Sequence, residues 1–263
     1  MTTIVRHITV EREGACARVV FNRPPLNIFT TEMLQELNHA LHELQGERRL
    51  KVLVIAAEGK AFSAGVAVED HLPEKADAMI KTFHATFRIL RGFDCPVISA
   101  VQGAALGGGC ELACFADLVI ASGHATFGQP EVKLGVFPPI AAVHFPRRIG
   151  LARTLQLLLS GEIISAQEAD RIGLVDRVVA PAELPDAVDK EVARFSEMSG
   201  SALRLTKRAV LSAYGRDFEG GLGEVERVFA ELMQSRDPLE GLRAFLEKRK
   251  PVWSDTDDPG ARA

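Results

Sequence analysis

Continuous apolar runs alternate along this chain with stretches in which apolar residues recur every three or four positions. Ala17–Asn22 (ARVVFN) is rich in β-branched residues and closes on Arg23-Pro24-Pro25, which predicts a strand ending in a turn. Thr30 or Thr31 can cap a helix through Gln45, because Met33, Leu34, Leu37, Leu41 and Leu44 fall on one helical stripe. Lys51–Ala57 (KVLVIAA) is apolar almost throughout, the pattern of a buried parallel strand. Val97–Val101 follows Pro96 and stops at Gly103, and Leu118–Ala121 follows the helix-like stretch Gly109–Ala116. Strands that alternate with helices in this way predict an α/β core.

From Ala166 the pattern turns helical. Ala166–Ile172 stops at Gly173, a short strand Leu174–Val179 follows, and after Pro181 helices cover about Pro185–Met198, Ser201–Tyr214, Gly221–Gln234 and Pro238–Lys248. Ser254–Ala263 is polar and rich in Asp, Pro and Gly, and is expected to fray.

Composition narrows the classes. Of 263 residues, 47% are hydrophobic and 25% charged, enough apolar surface to offset backbone entropy and to exclude disorder for most of the chain. The net charge is −4 with no block of like charges, so no polyanion-binding surface is announced and nucleic acid is not expected as a partner. Four cysteines (Cys16, Cys95, Cys110, Cys114) are too few and too scattered for a disulfide scaffold. Cys110 and Cys114 stand four apart in an apolar run with only His124 near them, so no metal site is expected. No stretch is long enough to span a bilayer, and Met1–Val10 carries no signal-peptide core; a reduced, cytoplasmic protein is expected, with no membrane partner.

The candidate chemistry begins at Gly103–Glu111 (GAALGGGCE), where a strand gives way to a helix across three glycines. Such a junction lets backbone approach a ligand and leaves helix-start N–H groups unpaired, although a plain tight crossover would read the same. A phosphate loop does not fit, for no Gly-Lys-Ser/Thr and no Gly-x-Gly-x-x-Gly is present. Glu111, one turn into the helix, has apolar or small neighbours, and a carboxylate is expensive to bury there without a task. Glu131, in Gly128-Gln129-Pro130-Glu131, is a second carboxylate after another apolar strand. Two such groups sharing a water suit general acid–base chemistry, though spacing alone does not bring them together. In Ala61–Val66 (AFSAGV) a further glycine at a strand exit can expose the Val66 N–H; with that of Gly108 it would make an oxyanion hole. Ser63 lacks a His and Asp context, which argues against a serine nucleophile.

Taken together, AFSAGV, GAALGGGCE and GQPE, with Ile172–Val179 (IGLVDRVV) and Pro238–Trp253 (PLEGLRAFLEKRKPVW), resemble the enoyl-CoA hydratase/isomerase, or crotonase, superfamily from about Val19 to Trp253. The resemblance implies an α/β spiral of ββα repeats, a core over residues 1–199 that carries the active site, and a helical region over residues 200–263 that assembles homotrimers or hexamers. It implies that the Val66 and Gly108 N–H groups hold a thioester oxygen, and that Glu111 and Glu131 activate water for addition across a conjugated double bond. Substrate contacts are implied for Ala64 and the channel segment Val66, Ala67, Val68 and Glu69, with Leu26 and Ile28 against the coenzyme A adenine. No metal or redox cofactor is implied; coenzyme A belongs to an acyl-CoA substrate.

The chain departs from the family where most hydratases read Gly-x-x-Pro-Gly-x-Gly-Gly-Thr-Gln. Here the run is Gly135–His144 (GVFPPIAAVH). Pro139 replaces a glycine and has no N–H, so the water or Glu131 is expected to lose a donor. Phe137 and Pro138 make a bulkier wall, and His144 stands for the usual Gln, as a structural partner more readily than a catalyst. This run, with Ala64-Gly65-Val66, resembles the alicyclic dienoyl-CoA hydratases, which hydrate cyclohexa-1,5-diene-1-carbonyl-CoA. Phe83, His84 and Phe87 would add to a wall for a flat ring, or would simply be core. The alternatives are an isomerase of the same fold, although many isomerases keep only one of the two carboxylates, and a non-catalytic binding or assembly protein. Lys248, Arg249 and Lys250 form the tightest basic cluster, suited to a neighbouring subunit, to coenzyme phosphates or to solvent.

Overall fold

The computed structural model describes residues 2–254. Its strands are β1 (Thr2–Val5), β2 (Ile8–Glu13), β3 (Cys16–Phe21), β4 (Val52–Ala57), β5 (Ala61–Ser63), β6 (Val97–Val101), β7 (Ala104–Leu106), β8 (Leu118–Ser122), β9 (Thr126–Gly128), β10 (Ile163–Ser165) and β11 (Arg177–Val179). Its helices are α1 (Thr31–Gln45), α2 (Pro73–Arg91), α3 (Gly108–Cys114), α4 (Pro139–Ile149), α5 (Leu151–Ser160), α6 (Ala166–Arg171), α7 (Leu184–Ser196), α8 (Gly200–Ala213), α9 (Phe218–Gln234) and α10 (Asp237–Leu246).

Among the described residues the strands form two sheets, ordered β1-β2-β3-β4-β6-β8-β11 and β10-β9-β7-β5. In the larger one β1, β2 and β3 pair antiparallel, and every pair from β3 onward is parallel. Each winding adds a long strand to the large sheet and a three-residue strand to the small one, then returns through a helix: β4–β5–α2, then β6–β7–α3. This is the spiral of ββα repeats that the resemblance implied.

The apolar runs earn their place by being buried twice over. In β4, Leu53 and Ile55 face the main core with α1 and α2, while Val52 and Val54 face a second cluster with Leu184 and Val188 of α7. A strand covered on both faces cannot alternate apolar with polar residues. Thr30 caps α1 by accepting from the Met33 N–H at 3.3 Å, and all five residues of the predicted stripe are buried.

The structure differs from the sequence reading in four places. The strand expected over Leu174–Val179 begins only at Arg177, because the N–H groups of Leu174 and Val175 both donate to Ala169 O at the end of α6. Helices α4 and α5 have no counterpart in the sequence pattern: Phe137 and Pro138 suggest a bulky wall and Pro139 a lost donor, yet Pro139 sits at the first helical position, where a missing N–H costs nothing. The β1–β2 hairpin lacks a strong apolar pattern and was likewise unread. Helix α9 starts three residues before the expected Gly221, since Asp217 caps it through the Gly220 N–H at 2.7 Å.

Helix α8 is fastened to the core by Lys207, whose Nζ lies 2.6 Å from Asp117 and 3.0 Å from Cys95 O. Buried Asp237 of α10 accepts from Ser199 and Ser201 at 2.6 and 2.9 Å. Of the stretch expected to fray, Ser254 is held by Asp237, to which its N–H and Oγ donate at 2.8 and 2.7 Å; 255–263 lie outside the described residues. Among the described residues no helix is long and apolar enough to cross a membrane.

Candidate active site

The site is built on bare backbone. Gly107 links β7 to α3 with φ 51° and ψ −128°, and its N–H donates to Gly128 O at 2.9 Å, which ties the α3 start to the end of β9. A Cβ here would lie 2.6 Å from Glu131 Oε1, so the Glu131 carboxylate rests directly on this peptide. A Cβ on Gly109 would run into the Ser63 carbonyl, so α3 lies against β5 at a separation only glycine permits. Gly108 is the first residue of α3, and its N–H has no intrahelical acceptor.

Val66 arrives from the other side. Phe29 N–H donates to Gly65 O and Ala67 N–H donates to Phe29 O, each near 2.9 Å, a parallel bridge that turns the Val66 N–H away from Phe29. A Cβ on Gly108 would meet Val66 Cγ2 at 2.8 Å, so the residues carrying the two free donors adjoin. Ser63 is spent on the backbone: its Oγ donates to Asn27 O at 2.7 Å and accepts from the Gly65 N–H.

Glu111, in the first turn of α3, is 2% exposed. Its Oε1 accepts from the Ala141 N–H at 2.8 Å, and the Ile140 N–H also faces the carboxylate. These are the first free donors of α4 after Pro138 and Pro139. The donor that Pro139 lacks is therefore offset for Glu111 by the next two residues of the turn. Burial nevertheless pushes the Glu111 carboxyl up to about 8, against the pull of those N–H groups and with a further rise from the Glu131 charge.

Glu131 lies in the 3-10 turn Pro130–Leu134, and burial pushes it up to about 7. Gln129, fully buried, is its partner: with the amide oriented by its neighbours, Nε2 donates to both carboxylate oxygens at 3.2 Å. The sequence reading missed Gln129 and the α4 donors. A primary amide between the strand Thr126–Gly128, with its buried Phe127, and Pro130 is the signal that could have raised Gln129; backbone donors leave none.

Ala64 N–H donates to Leu26 O at 2.9 Å, so the loop of Leu26 and Ile28 runs beside Ala64. Asn27 braces that loop through Nδ2, which donates to Glu58 O and Ala61 O at 2.9 and 2.8 Å. Ala67 is buried, whereas Val68 and Glu69 are exposed at the start of a 3-10 turn. Asp70, in the same turn, accepts from the Thr31 N–H at 2.9 Å and so ties it to α1. Pro138 is buried and Phe137 is 70% exposed. Phe83 meets the glycine junction, 3.0 Å from where a Gly108 Cβ would stand, with Phe87 edge-on behind it. His144 acts structurally: Nε2 is 3.1 Å from Cys114 O, and its ring lies against Phe115. Arg249 of the basic cluster is engaged by Glu240 and Glu247.

The family model for enoyl-CoA hydratase/isomerase matches residues 11–256. The chain belongs to the enoyl-CoA hydratase/isomerase family. Its relatives in that family include a probable enoyl-CoA hydratase of Mycobacterium tuberculosis, 38% identical over 94% of this chain and 97% of the relative. Cyclohexa-1,5-dienecarbonyl-CoA hydratase of Thauera aromatica is 37% identical over 94% of this chain and 96% of its own length. The crystal structure of an enoyl-CoA hydratase from Bacillus anthracis superposes with a TM-score of 0.92 at 30% identity, covering 95% of this chain and 100% of that one. Both the spiral and the helices after it are thus features this chain has in common with the enoyl-CoA hydratase/isomerase family.

Proposed function

We propose that this protein is a hydro-lyase of the enoyl-CoA hydratase type, adding water across the conjugated double bond of an acyl-CoA thioester. The observation that carries the reading is the pairing of buried Glu111, raised to about 8, and half-buried Glu131, raised to about 7, with adjoining free N–H groups of Val66 and Gly108. The donors would hold the thioester oxygen as it gains enolate charge, an interaction worth about 3–4 kcal/mol per donor in other enzymes. The pair shares one proton, and the carboxyl that is ionised when substrate binds takes a proton from water while the other gives a proton to carbon. Our working division has Glu111, held by the start of α4, handle the water, while Glu131 exchanges the carbon proton. No cofactor is needed, since coenzyme A arrives with the substrate along Leu26, Ile28 and Ala64–Glu69.

We assign the acyl group to the cyclic class, cyclohexa-1,5-diene-1-carbonyl-CoA, on the Val136–Ala142 run and the name of the Thauera relative. Phe83, Phe137 and Pro138 would flank the ring. Incubation with linear and cyclic enoyl-CoA thioesters, followed by mass spectrometry, tests both levels. The cyclic diene should gain one water. Rapid hydration of crotonyl-CoA with none of the cyclic diene would remove the narrower assignment, and a shifted double bond without added water would make the enzyme an isomerase.

Residues 200–263 are proposed as the assembly region of a homotrimer or hexamer, on the exposed apolar side chains Val210, Phe218, Phe229, Phe245 and Leu246 of α8, α9 and α10. Light scattering in solution tests this; a monomer would refute it. The free, buried thiols of Cys16, Cys95, Cys110 and Cys114 suit a cytoplasmic location, and the net charge of −4 argues against nucleic acid.

A further inference from the structure

A cavity of about 710 Å³ opens between α2, α4 and α8. Helix α4 presents Ile140, Val143, His144 and Arg147 to it, at positions i, i+3, i+4 and i+7, and α2 presents His84, Phe87, Arg88 and Arg91 in the same spacing. The lining is therefore graded along both helices. One end is apolar and imidazole-lined and adjoins the catalytic groups: the Ile140 N–H faces Glu111, and Phe83, next to His84, packs on Gly108. The buried Nε2 of His84 has no hydrogen-bond partner. The other end, seven residues and about 10 Å further along α4, is guanidinium.

The charges at that far end are out of balance. Asp117, the carboxylate of the lining, is held by Lys207 and by the Val97 N–H at 2.6 and 2.8 Å. Arg148 is taken up by Asp176 and by the carbonyls of Leu174 and Ala116. Arg88, Arg91 and Arg147, all exposed, make no ion pair among the described residues; Arg147 instead lies over the Tyr214 ring at 5.6 Å. Three unpaired guanidinium groups at the end of an apolar cleft fit an anion carried on an apolar body.

We propose that this cleft receives the far end of an acyl chain terminating in a carboxylate, so that the protein also hydrates enoyl-CoA thioesters of dicarboxylic acids. An extended chain advances about 1.2 Å per bond, so about eight bonds span the distance from the reacting carbons to the guanidinium end and place the terminal carboxylate near C11. The chemistry is unaltered: water supplies a hydroxyl to one alkene carbon and a proton to the other, and the terminal carboxylate is untouched. The proposal rests on the hydratase reading but is independent of the cyclic substrate.

The test compares kcat/KM for trans-2-undecenedioyl-CoA and trans-2-undecenoyl-CoA, with the protein in its native assembly. The expected ratio favours the carboxylated thioester by about tenfold or more, falls towards one in the Arg88→Ala/Arg147→Ala double variant, and is largely kept in Arg147→Lys. Equal turnover of the two thioesters, or a preference that survives the double variant, would overturn the proposal. Calorimetric binding of the saturated undecanedioyl-CoA against undecanoyl-CoA separates the two readings. Tighter binding of the carboxylated ligand with no thioester hydrated removes the hydratase reading and keeps the cleft, whereas hydration without that binding preference removes the cleft alone.

Discussion

The Ala141 N–H donates to Glu111 Oε1 at 2.8 Å, and so joins the first turn of α4 to the first turn of α3. Two helix starts thus meet over one carboxyl. Burial drives that carboxyl towards its neutral form, while free N–H groups at a helix N-terminus favour its anion. The contest leaves Glu111 titrating at about 8, where it can gain and lose a proton under ordinary conditions.

Replacing Glu111 by Gln keeps the shape and lets an amide oxygen accept from Ala141, but removes the proton exchange. Hydration should fall by about a hundredfold to ten-thousandfold, the range for loss of a general acid–base group. On our division of labour, slow exchange of the product's carbon-bound proton with deuterated solvent persists in Glu111→Gln and vanishes in Glu131→Gln. The opposite pattern would reverse the two roles.

The same carboxyls make folding stability depend on pH. Both are raised above the ordinary 4.5, Glu131 to about 7 and Glu111 to about 8, so the folded state holds protons that the unfolded chain has released. Their contribution is complete below about pH 4.5 and is lost as pH rises through 7 and 8. One pKa unit is worth about 1.4 kcal/mol, so Glu111 alone accounts for several kcal/mol across that range. Denaturant unfolding between pH 5 and 8.5 should show the wild type losing stability relative to Glu111→Gln, which becomes the more stable protein at the alkaline end. Parallel pH curves would mean that Glu111 does not titrate high.

Gln129 sets the acid side of the activity profile. The pair bears one proton between about pH 7 and 8, so kcat/KM should peak there and fall on either side. The Gln129 amide supports the Glu131 anion through two hydrogen bonds, and Gln129→Leu removes both at nearly constant volume. A hydrogen bond to a charged group is worth about 1.5–3 kcal/mol, which moves the acid-side limb about one unit or more to higher pH. A limb that stays in place while kcat falls would assign Gln129 a purely packing role.

What the sequence made legible follows from how local each signal is. Glu111 stood out because a charge amid Cys110, Leu112, Ala113 and Cys114 contradicts its neighbours, and the buried strands β4, β6 and β8 stood out as runs. The strands β5, β7 and β9 did not, since three residues are too few to display any period. Helix α4 was concealed by the prolines at 138 and 139, which read as barriers yet stand at its cap and first position. The Gln129 amide and the Ala141 N–H acquire a role only where distant segments meet: Ala141 is thirty residues from Glu111.

Gly107 offers a way to separate backbone strain from the working of the site. Alanine there would take an unfavourable φ of 51° with ψ −128°, and its Cβ would meet Glu131 Oε1 at 2.6 Å. The obstructed atom ends a flexible side chain, so Glu131 gives way: the fold loses about 1–3 kcal/mol from the backbone, while the carboxylate leaves its seat. Gly14, in the β2–β3 turn, has a similar φ of 56° but open space where a Cβ would stand. Gly14→Ala should therefore show a stability loss of about 1–2 kcal/mol with kcat/KM unchanged, whereas Gly107→Ala should lose at least about a hundredfold in kcat. Gly109→Ala forms the third arm. Its Cβ would strike the Ser63 backbone carbonyl, which cannot swing aside, so its loss of stability should exceed that of either other variant. Thermal unfolding and steady-state kinetics on the three proteins decide the matter: a Gly107→Ala enzyme as active as Gly14→Ala would show that Glu131 does not work from the position it occupies against Gly107.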